Sequence, residues 1–175
     1  PAKPGHLDNV ATLAADFASD FGAADWARLA GLWHDLGKYS AEFQAYLAAA
    51  ADPDAEGGPS RGPDHSTAGA QHANRTLPRG LGNLLAYTIA GHHSGLTDGT
   101  SSGGSCLEAR LRKEIKDCAR HAPAWLLAAP PPSLPPSLLA RGIPETENAA
   151  RLATFLRFVF SALVDADRLD TEAFC

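Results

Sequence analysis

Histidine beside acidic residues is the first feature of this sequence that could do chemistry. His34 directly precedes Asp35, and Lys38 follows four residues after the histidine. Imidazole and carboxylate groups bind divalent metals, and Lys38 lies on the same side of the chain, where it could hold a phosphate oxygen. Adjacent helical side chains diverge by about 100°, so His34 and Asp35 could flank one point or serve two different ions. The alternative is a helix-end salt bridge of Lys38 with Asp35 or Glu42, with His34 exposed.

A second histidine pair ends another apolar segment. His92 and His93 stand between Gly91 and Ser94, and a Gly/Ser-rich loop follows them. Imidazole is the commonest nitrogen ligand for first-row divalent metals, and consecutive ligands at a helix terminus can reach two ions a few Å apart. The structural alternative is a histidine favoured at a helix C-terminus by the helix dipole.

The other histidines are less informative when each is taken alone. His65 follows a Gly/Pro-rich loop and begins a helix, so it is either a ligand or an exposed N-terminal residue. His72 shares its face, but the position favours a surface or packing role. His6 opens the first helix, where a histidine alone would indicate only a frayed terminus. His121 lies beside a proline-rich stretch with nothing to pair with, and we interpret it as a bystander.

Acidic residues also close the longest apolar helix. Asp165 and Asp167 are two positions apart, which places them about 200° apart around the helix axis, so at most one can face the core. A carboxylate that faces inward from an apolar helix needs a partner. A metal ion could be that partner, and so could Arg168.

The elements that must position these residues are helices. Apolar residues recur at intervals of three and four, without sustained two-residue alternation, which predicts an all-α fold. Ser40 is expected to cap the third helix. Loops are expected at 52–64 and 95–105, and the prolines predict an extended surface excursion outside the core at about 122–144. The predicted helices cover 6–21, 25–36, 41–51, 65–75, 81–91 and 107–121, with the longest beginning at Pro144 and Glu145.

Length and composition predict one domain over residues 1–175. The 175 residues are 45% hydrophobic, which is enough for a core without disulfides or a structural metal. Fifteen basic against 20 acidic residues give a formal charge of −5, which argues against a broad basic surface for nucleic acid. Any nucleic-acid role must therefore be local or assisted.

The sequence also favours a reduced, aqueous compartment. Cys106, Cys118 and Cys175 are odd in number and form no CxxC pair, so we expect free thiols. No apolar stretch approaches the roughly 20 residues that cross a bilayer, and no leader opens the chain. We expect a cytoplasmic protein without membrane contact, which nothing requires to be more than a monomer. The start at Pro1 indicates that the original start was removed or that the chain is part of a longer protein.

The order of these motifs resembles the HD superfamily of metal-dependent phosphohydrolases. Within it, the order is most similar to the HD nuclease domain of the CRISPR-associated type I interference helicase-nuclease. The similarity spans 6–167, and the HHSG element joined to HDxGK is far more specific than the HD pair alone. The matching motifs are HDxGK at 34–38, DHS at 64–66, GHHSG at 91–95 and AD at 166–167.

The resemblance implies an all-helical bundle with long Gly/Pro-rich loops that holds one or two divalent metals and cuts single-stranded DNA. It implies Asp35, Lys38 and Ser94 as the catalytic residues, with Lys38 and Ser94 beside the metals. The Ala-Asp pair favours Asp167 over Asp165 as the last ligand, although a slip of two residues would exchange them. The ligands implied are His6, His34, Asp35, His65, His92, His93 and Asp167.

The implied partners are a helicase and an RNA-guided surveillance complex. The chain itself contains no GxxxxGK[ST] loop and is too short to hold a helicase domain, so the domain is either encoded separately or excised. Five neutral imidazoles and two aspartates around two divalent ions would leave a charge of about +2, which would attract a phosphodiester to an acidic protein. This histidine-rich set suits Mn, Fe, Co, Ni or Zn better than Mg.

Two other functions remain open at this point. The first is a phosphohydrolase of the same superfamily that acts on free nucleotides. The second is a non-catalytic helical adaptor whose histidines are structural and whose proline-rich segment binds a partner in an extended conformation.

Overall fold

The fold is all-α, as the sequence predicts. The computed structural model describes residues 5–51, 62–78, 80–100, 106–115, 118, 120–136, 138 and 142–174. Within these ranges there are helices and turns but no strand, and a 3₁₀ turn at Leu36–Tyr39 lies between α2 and α3. The helices are α1 His6–Ser19, α2 Ala24–Trp33, α3 Ala41–Ala50, α4 Ser66–Thr76, α5 Leu81–Gly91, α6 Leu107–Arg112, α7 Ala124–Leu127 and α8 Glu145–Phe174.

The core lies where α1, α2, α5 and α8 meet. Helix α1 packs against both α2 and α8, and α4 packs against α5. Helices α1 and α2 approach closely because Gly31 has no side chain: a Cβ there would meet the backbone of Ala11. The packing brings the beginning of α1, the end of α2 and the last turns of α8 to the same region of the molecule. The largest fully buried apolar side chains include Trp26, Trp33, Leu85, Ile89, Val159 and Leu163.

Helix ends agree with the sequence at some positions. The side chain of Ser40 accepts a hydrogen bond from the Phe43 amide at 3.1 Å and caps α3, which confirms the predicted cap. Helix α5 covers the predicted range. Helix α2, by contrast, ends at Trp33 instead of residue 36, because Asp35 leaves the helical conformation with φ −106° and ψ 18°.

Helix α6 is much shorter than predicted. A helix was expected over 107–121, but it ends at Arg112, and Lys113 is extended. The buried side-chain amide of Gln71 donates to the carbonyls of Arg110 at 2.9 Å and Lys113 at 2.7 Å. These bonds satisfy carbonyl groups that would otherwise need the next helical turn, so the helix can stop there.

The proline-rich segment is not confined to the surface. Leu126, in the short helix α7, is fully buried, which contradicts the expectation that this stretch lies outside the core. The Trp33 indole N–H donates to the Leu126 carbonyl at 2.7 Å, and the Trp26 indole N–H donates to the Ser133 carbonyl at 2.8 Å. Two core tryptophans therefore attach the segment to the bundle at its backbone, which its proline content did not indicate.

Some predictions fall outside the described residues. These include most of the loop predicted at 52–64, the end of the loop at 95–105, part of the proline-rich segment and Cys175. Cys106 is a free, buried thiol, in agreement with the expectation for this residue, and Cys118 is also buried. No helix in the described ranges combines the length and apolar character needed to cross a bilayer.

Candidate metal centre

The histidines and aspartates singled out in the sequence converge at one place. His34 and Asp35 come directly after α2, and the other members lie at ends of α1, α4 and α5 and in α8. Potential ligand atoms form two adjoining groups, and within each group they lie within 4.8 Å of one another. The first group is Asp35, His65, His92 and His93, and the second is His6, His34 and Asp167.

Asp35 belongs to the first group but also contacts the second, because each of its oxygens faces histidines of a different group. Its Oδ1 is 3.3 Å from Nε2 of His65 and 3.6 Å from Nε2 of His92. Its Oδ2 is 3.3 Å from Nε2 of His34 and 3.6 Å from Nε2 of His6. A carboxylate placed in this way can bridge two cations.

Backbone hydrogen bonds fix the orientation of three imidazoles. Nδ1 of His34 donates to the Gly31 carbonyl at 2.8 Å, and Nδ1 of His92 donates to the Ile89 carbonyl at 2.7 Å. Nδ1 of His65 lies 3.2 Å from the Pro63 carbonyl. Since a carbonyl can only accept, the proton of each neutral ring is on Nδ1. The Nε2 lone pairs of His34 and His92, which have no hydrogen-bond partner among the described residues, are available to a metal.

Unpartnered buried atoms show that a cation fits this site. Nε2 of His34, Nε2 of His92 and Oδ1 of Asp35 are buried, and none has a hydrogen-bond partner among the described residues. Buried acceptors without a donor are costly, and divalent cations in the two groups would satisfy all three. Their chemistry, imidazole nitrogen with carboxylate oxygen, matches the donor sets of first-row divalent metals.

Two residues that the sequence reasoning did not identify support the second group. Asp170 accepts hydrogen bonds from Nδ1 of His6 at 2.6 Å and from the Asn9 amide at 2.9 Å. Nε2 of His6 then points at Asp167, 3.3 Å from its Oδ1. A carboxylate behind a metal-binding histidine orients the ring and raises its basicity. The signal in the sequence was the spacing of three between Asp167 and Asp170, which places both on one helix face.

The charges in the second group depend on one another. Burial lowers the pKa of His34, but the nearby Asp167 and Asp35 carboxylates outweigh it and raise that pKa to about 9. The same two carboxylates raise the pKa of His6 to about 10. Burial acts to raise the pKa values of Asp35 and Asp167, but the histidines hold both well below the usual range. The site therefore needs positive charge between its carboxylates, which protons or a divalent cation can supply.

His93 and His65 form the more open side of the first group. Their Nε2 atoms are 2.6 Å apart. Burial, with His92 and His65 nearby, lowers the pKa of His93 to about 4, and burial also lowers the pKa of His65. Both rings are therefore neutral at pH 7, which is the form that binds metals.

Gly37 allows the 3₁₀ turn after Asp35 to approach the start of α4. Its N–H donates to the His65 carbonyl at 3.1 Å, and a Cβ at this position would collide with the His65 backbone. Asp64 caps the same helix by accepting from the Thr67 amide at 3.2 Å and the Thr67 hydroxyl at 2.8 Å. These contacts place His65 opposite Asp35.

Lys38 contacts the cluster directly. Its Nζ lies 2.5 Å from Oδ2 of Asp35, and its side chain is 40% exposed. The salt bridge between Lys38 and Asp35, which the sequence suggested as the alternative to a metal site, is therefore present. However, that interpretation also required an exposed His34, and His34 is fully buried.

The remaining candidates lie outside both groups. Ser94 is exposed, and its amide donates to the Gly91 carbonyl at 2.9 Å, so its role stays a prediction. Asp165 is exposed and accepts a 3.4 Å hydrogen bond from Ser161. His72 packs edge-on against Trp33, with ring centroids 4.7 Å apart, as expected for a packing role. His121 is exposed in a turn.

The fold and site together define a class of protein: an all-α bundle with a buried histidine–aspartate cluster suited to divalent cations. The HD domain family model matches residues 5–130, and the chain belongs to this family. HD domains are in general metal-dependent hydrolases, and membership indicates metal-dependent phosphohydrolase activity. A search of curated proteins found no match.

Proposed function

We propose that this chain is a metal-dependent nuclease that cuts single-stranded DNA, acting in the cytoplasm with a helicase in type I CRISPR interference. The observation that carries the catalytic part is the position of Asp35, whose two oxygens each face a separate group of imidazoles. The substrate and partners are proposed from the motif order HDxGK, DHS, GHHSG and AD along the chain.

Two divalent cations at such a site would supply an activated water as nucleophile and would neutralise charge on a phosphoryl group. The chain's own residues prepare the site for them. The backbone carbonyls of Gly31 and Ile89 hold the Nδ1 protons of His34 and His92, so both Nε2 atoms are aimed inward. Asp170 holds His6 in the same way from the other side.

Lys38 would bind the scissile phosphate. Its ammonium group is at the edge of the cluster, within reach of Asp35 but partly exposed, so a phosphate oxygen can approach it from solvent. A cation there would stabilise negative charge as it builds on the phosphate. Water adds to phosphorus as the ester P–O bond breaks, which leaves a phosphomonoester on one fragment and a hydroxyl on the other.

The negative net charge of the protein supports the proposal that a partner brings DNA to it. A formal charge of −5 gives little long-range attraction for DNA, so a helicase that delivers single strands would compensate for it. The local positive charge would come from the cations and Lys38.

The test compares the parent with Asp35→Ala in a cutting assay after loading with Mn, Fe, Co, Ni, Zn or Mg. The substrates are single-stranded DNA, double-stranded DNA, RNA and free nucleotides. We expect the parent to cut single-stranded DNA and Asp35→Ala to lose at least about 100-fold in rate, because the carboxylate that faces both groups of imidazoles is gone. Asp165→Ala, which removes an exposed aspartate of α8, is the matched control and should keep full activity.

Equal cutting by the parent and Asp35→Ala would contradict the proposed catalytic site. Release of inorganic phosphate from free nucleotides, without cutting of DNA strands, would instead assign the chain to nucleotide hydrolysis.

A further inference from the structure

We infer that Trp125, together with Tyr39 and Leu47, forms a wall that stacks against a nucleobase of the substrate whose phosphate lies at the metal centre. This inference rests on the proposed function and identifies the part of the substrate that the protein recognises. Trp125 lies in the proline-rich segment, which neither the motif order nor the catalytic chemistry explains.

The wall and the metal centre line the same cavity. The cavity has a volume of about 350 Å³. Its lining includes His6, Asp35 and Lys38, which are charged or metal-binding groups. Tyr39, Leu47 and Trp125 line the same cavity. A ligand with an anionic group and a flat or apolar group can therefore contact both kinds of lining residue.

Trp125 is exposed, but its backbone is held in place. Its side chain is 56% exposed, whereas Trp26 and Trp33 are buried. The next residue, Leu126, is fully buried, and its carbonyl accepts the hydrogen bond from the Trp33 indole at 2.7 Å. Because the core fixes Leu126, the indole of Trp125 is attached to a fixed backbone at the cavity. Little backbone conformational entropy is therefore lost when it binds a ligand.

A nucleotide unit of a DNA strand has the chemistry that suits both kinds of lining residue. Its phosphate suits Lys38 and the cations, and its base presents a flat π face to the indole. Base stacking on an aromatic side chain contributes about 1–3 kcal/mol per base, and it tolerates any base because each has a π face. In an acidic protein, this stacking would replace part of the affinity that a basic groove normally supplies.

The experiment measures binding rather than cutting. The metal-loaded protein is titrated with two phosphorothioate strands of equal length, one with eight thymidines and one with eight abasic sugars. We expect the thymidine strand to bind more tightly and to quench tryptophan fluorescence. Trp125→Ala should weaken its binding by about 5- to 150-fold, which corresponds to the energy of one stacked base. Binding of the abasic strand should not change.

Two variants serve as controls. Trp125→Phe keeps an aromatic face and should retain part of the preference for thymidine. Phe158→Ala removes another exposed aromatic side chain, 55% exposed, from a separate cavity and should behave as the parent. Circular dichroism melting of each variant shows that it is folded.

The outcomes separate this inference from the proposed function. Equal binding of the two strands by the parent, or unchanged thymidine binding in Trp125→Ala, would overturn the stacking wall, while cutting of DNA would stand. If binding of thymidine monophosphate depends on Trp125, and this nucleotide is hydrolysed while DNA strands are not cut, the stacking wall is supported and the DNA assignment fails.

Discussion

At the scale of single residues, the candidate centre depends on how each imidazole is oriented. His34 and His92 donate Nδ1–H to backbone carbonyls three residues earlier, and His6 donates to Asp170. Each bond leaves Nε2 facing the cluster. The hydrogen bonds behind the rings therefore determine which nitrogen can bind a metal, as much as the choice of histidine does.

The Asp170 carboxylate is the first residue to test in this respect. Asp170→Ala should weaken metal binding by about 10- to 100-fold, because His6 loses the group that orients its ring and increases its basicity. Asp170→Asn, which keeps the shape, should lose less. Titration with a competing chelator measures the affinity, and Asp165→Asn provides an exposed control. Unchanged affinity in Asp170→Ala would show that His6 needs no partner.

The metal-free protein should lose stability as pH rises. The folded-state pKa values of His6 and His34, about 10 and about 9, lie above the usual value of 6.5. A histidine whose pKa is raised in the folded state contributes its full stabilisation below pH 6.5. That contribution to the free energy of unfolding disappears as pH rises through 9 to 10. Denaturant unfolding in the presence of a chelator between pH 6.5 and 10 measures this loss. Metal-loaded protein is the control, since cations replace the protons. A metal-free stability that is flat over this range would contradict the expected proton binding.

At the scale of elements, the interruption after α2 is what makes the site possible. In a continuous helix, His34 and Asp35 would point about 100° apart. Helix α2 ends at Trp33, and the following 3₁₀ turn allows Nε2 of His34 to lie 3.3 Å from Oδ2 of Asp35. Gly37 then brings this turn against the backbone of His65.

Gly37→Ala should therefore move the 3₁₀ turn at Leu36–Tyr39 away from His65 at the start of α4. A Cβ would push the His65 backbone away from the turn, and we expect a loss of about 1–3 kcal/mol in the free energy of unfolding, with weaker metal binding. Gly82→Ala is a matched control, because a Cβ there meets the Ala73 backbone in the contact between α4 and α5. It should destabilise the fold but leave metal affinity unchanged. The same affinity in Gly37→Ala and the parent would show that the close approach is not needed for the site.

At the scale of the whole molecule, the cluster joins the two ends of the chain. His6 and Asp170 are 164 positions apart and make a 2.6 Å contact. Metal bound between α1, α2, α4, α5 and α8 would therefore crosslink most of the bundle. It would also relieve the unpartnered buried acceptors on His34, Asp35 and His92.

Metal addition should raise the melting temperature. At a free metal concentration of 100 times Kd, the fold gains about 2.7 kcal/mol, and each kcal/mol corresponds to about 2–4 °C for a chain of this size. We expect a rise of roughly 5–11 °C in calorimetry, reversed by a chelator. Asp35→Ala is the control and should show little of this rise. An equal rise in both proteins would place the metal elsewhere.

The sequence predicted the regular helices well and their irregular ends poorly. The apolar spacing was sufficient for α5, and the capping preference of serine was sufficient for the cap at Ser40, because both are decided by neighbours along the chain. The end of α6 depends on Gln71, and the burial of α7 depends on Trp33, and both lie far away in sequence. Asp170 was overlooked because its partner His6 is at the opposite end of the chain.

The residue types that can do chemistry, and the helices that carry them, were determined by the sequence alone, because side-chain chemistry and apolar periodicity are local properties. Tertiary structure decided which of these residues meet. It placed Asp167 rather than Asp165 beside His6, because the packing of α8 against α1 sets the rotation of that helix. It also turned the two oxygens of Asp35 toward different histidines. It placed Trp125 at the cavity that Asp35 and Lys38 also line.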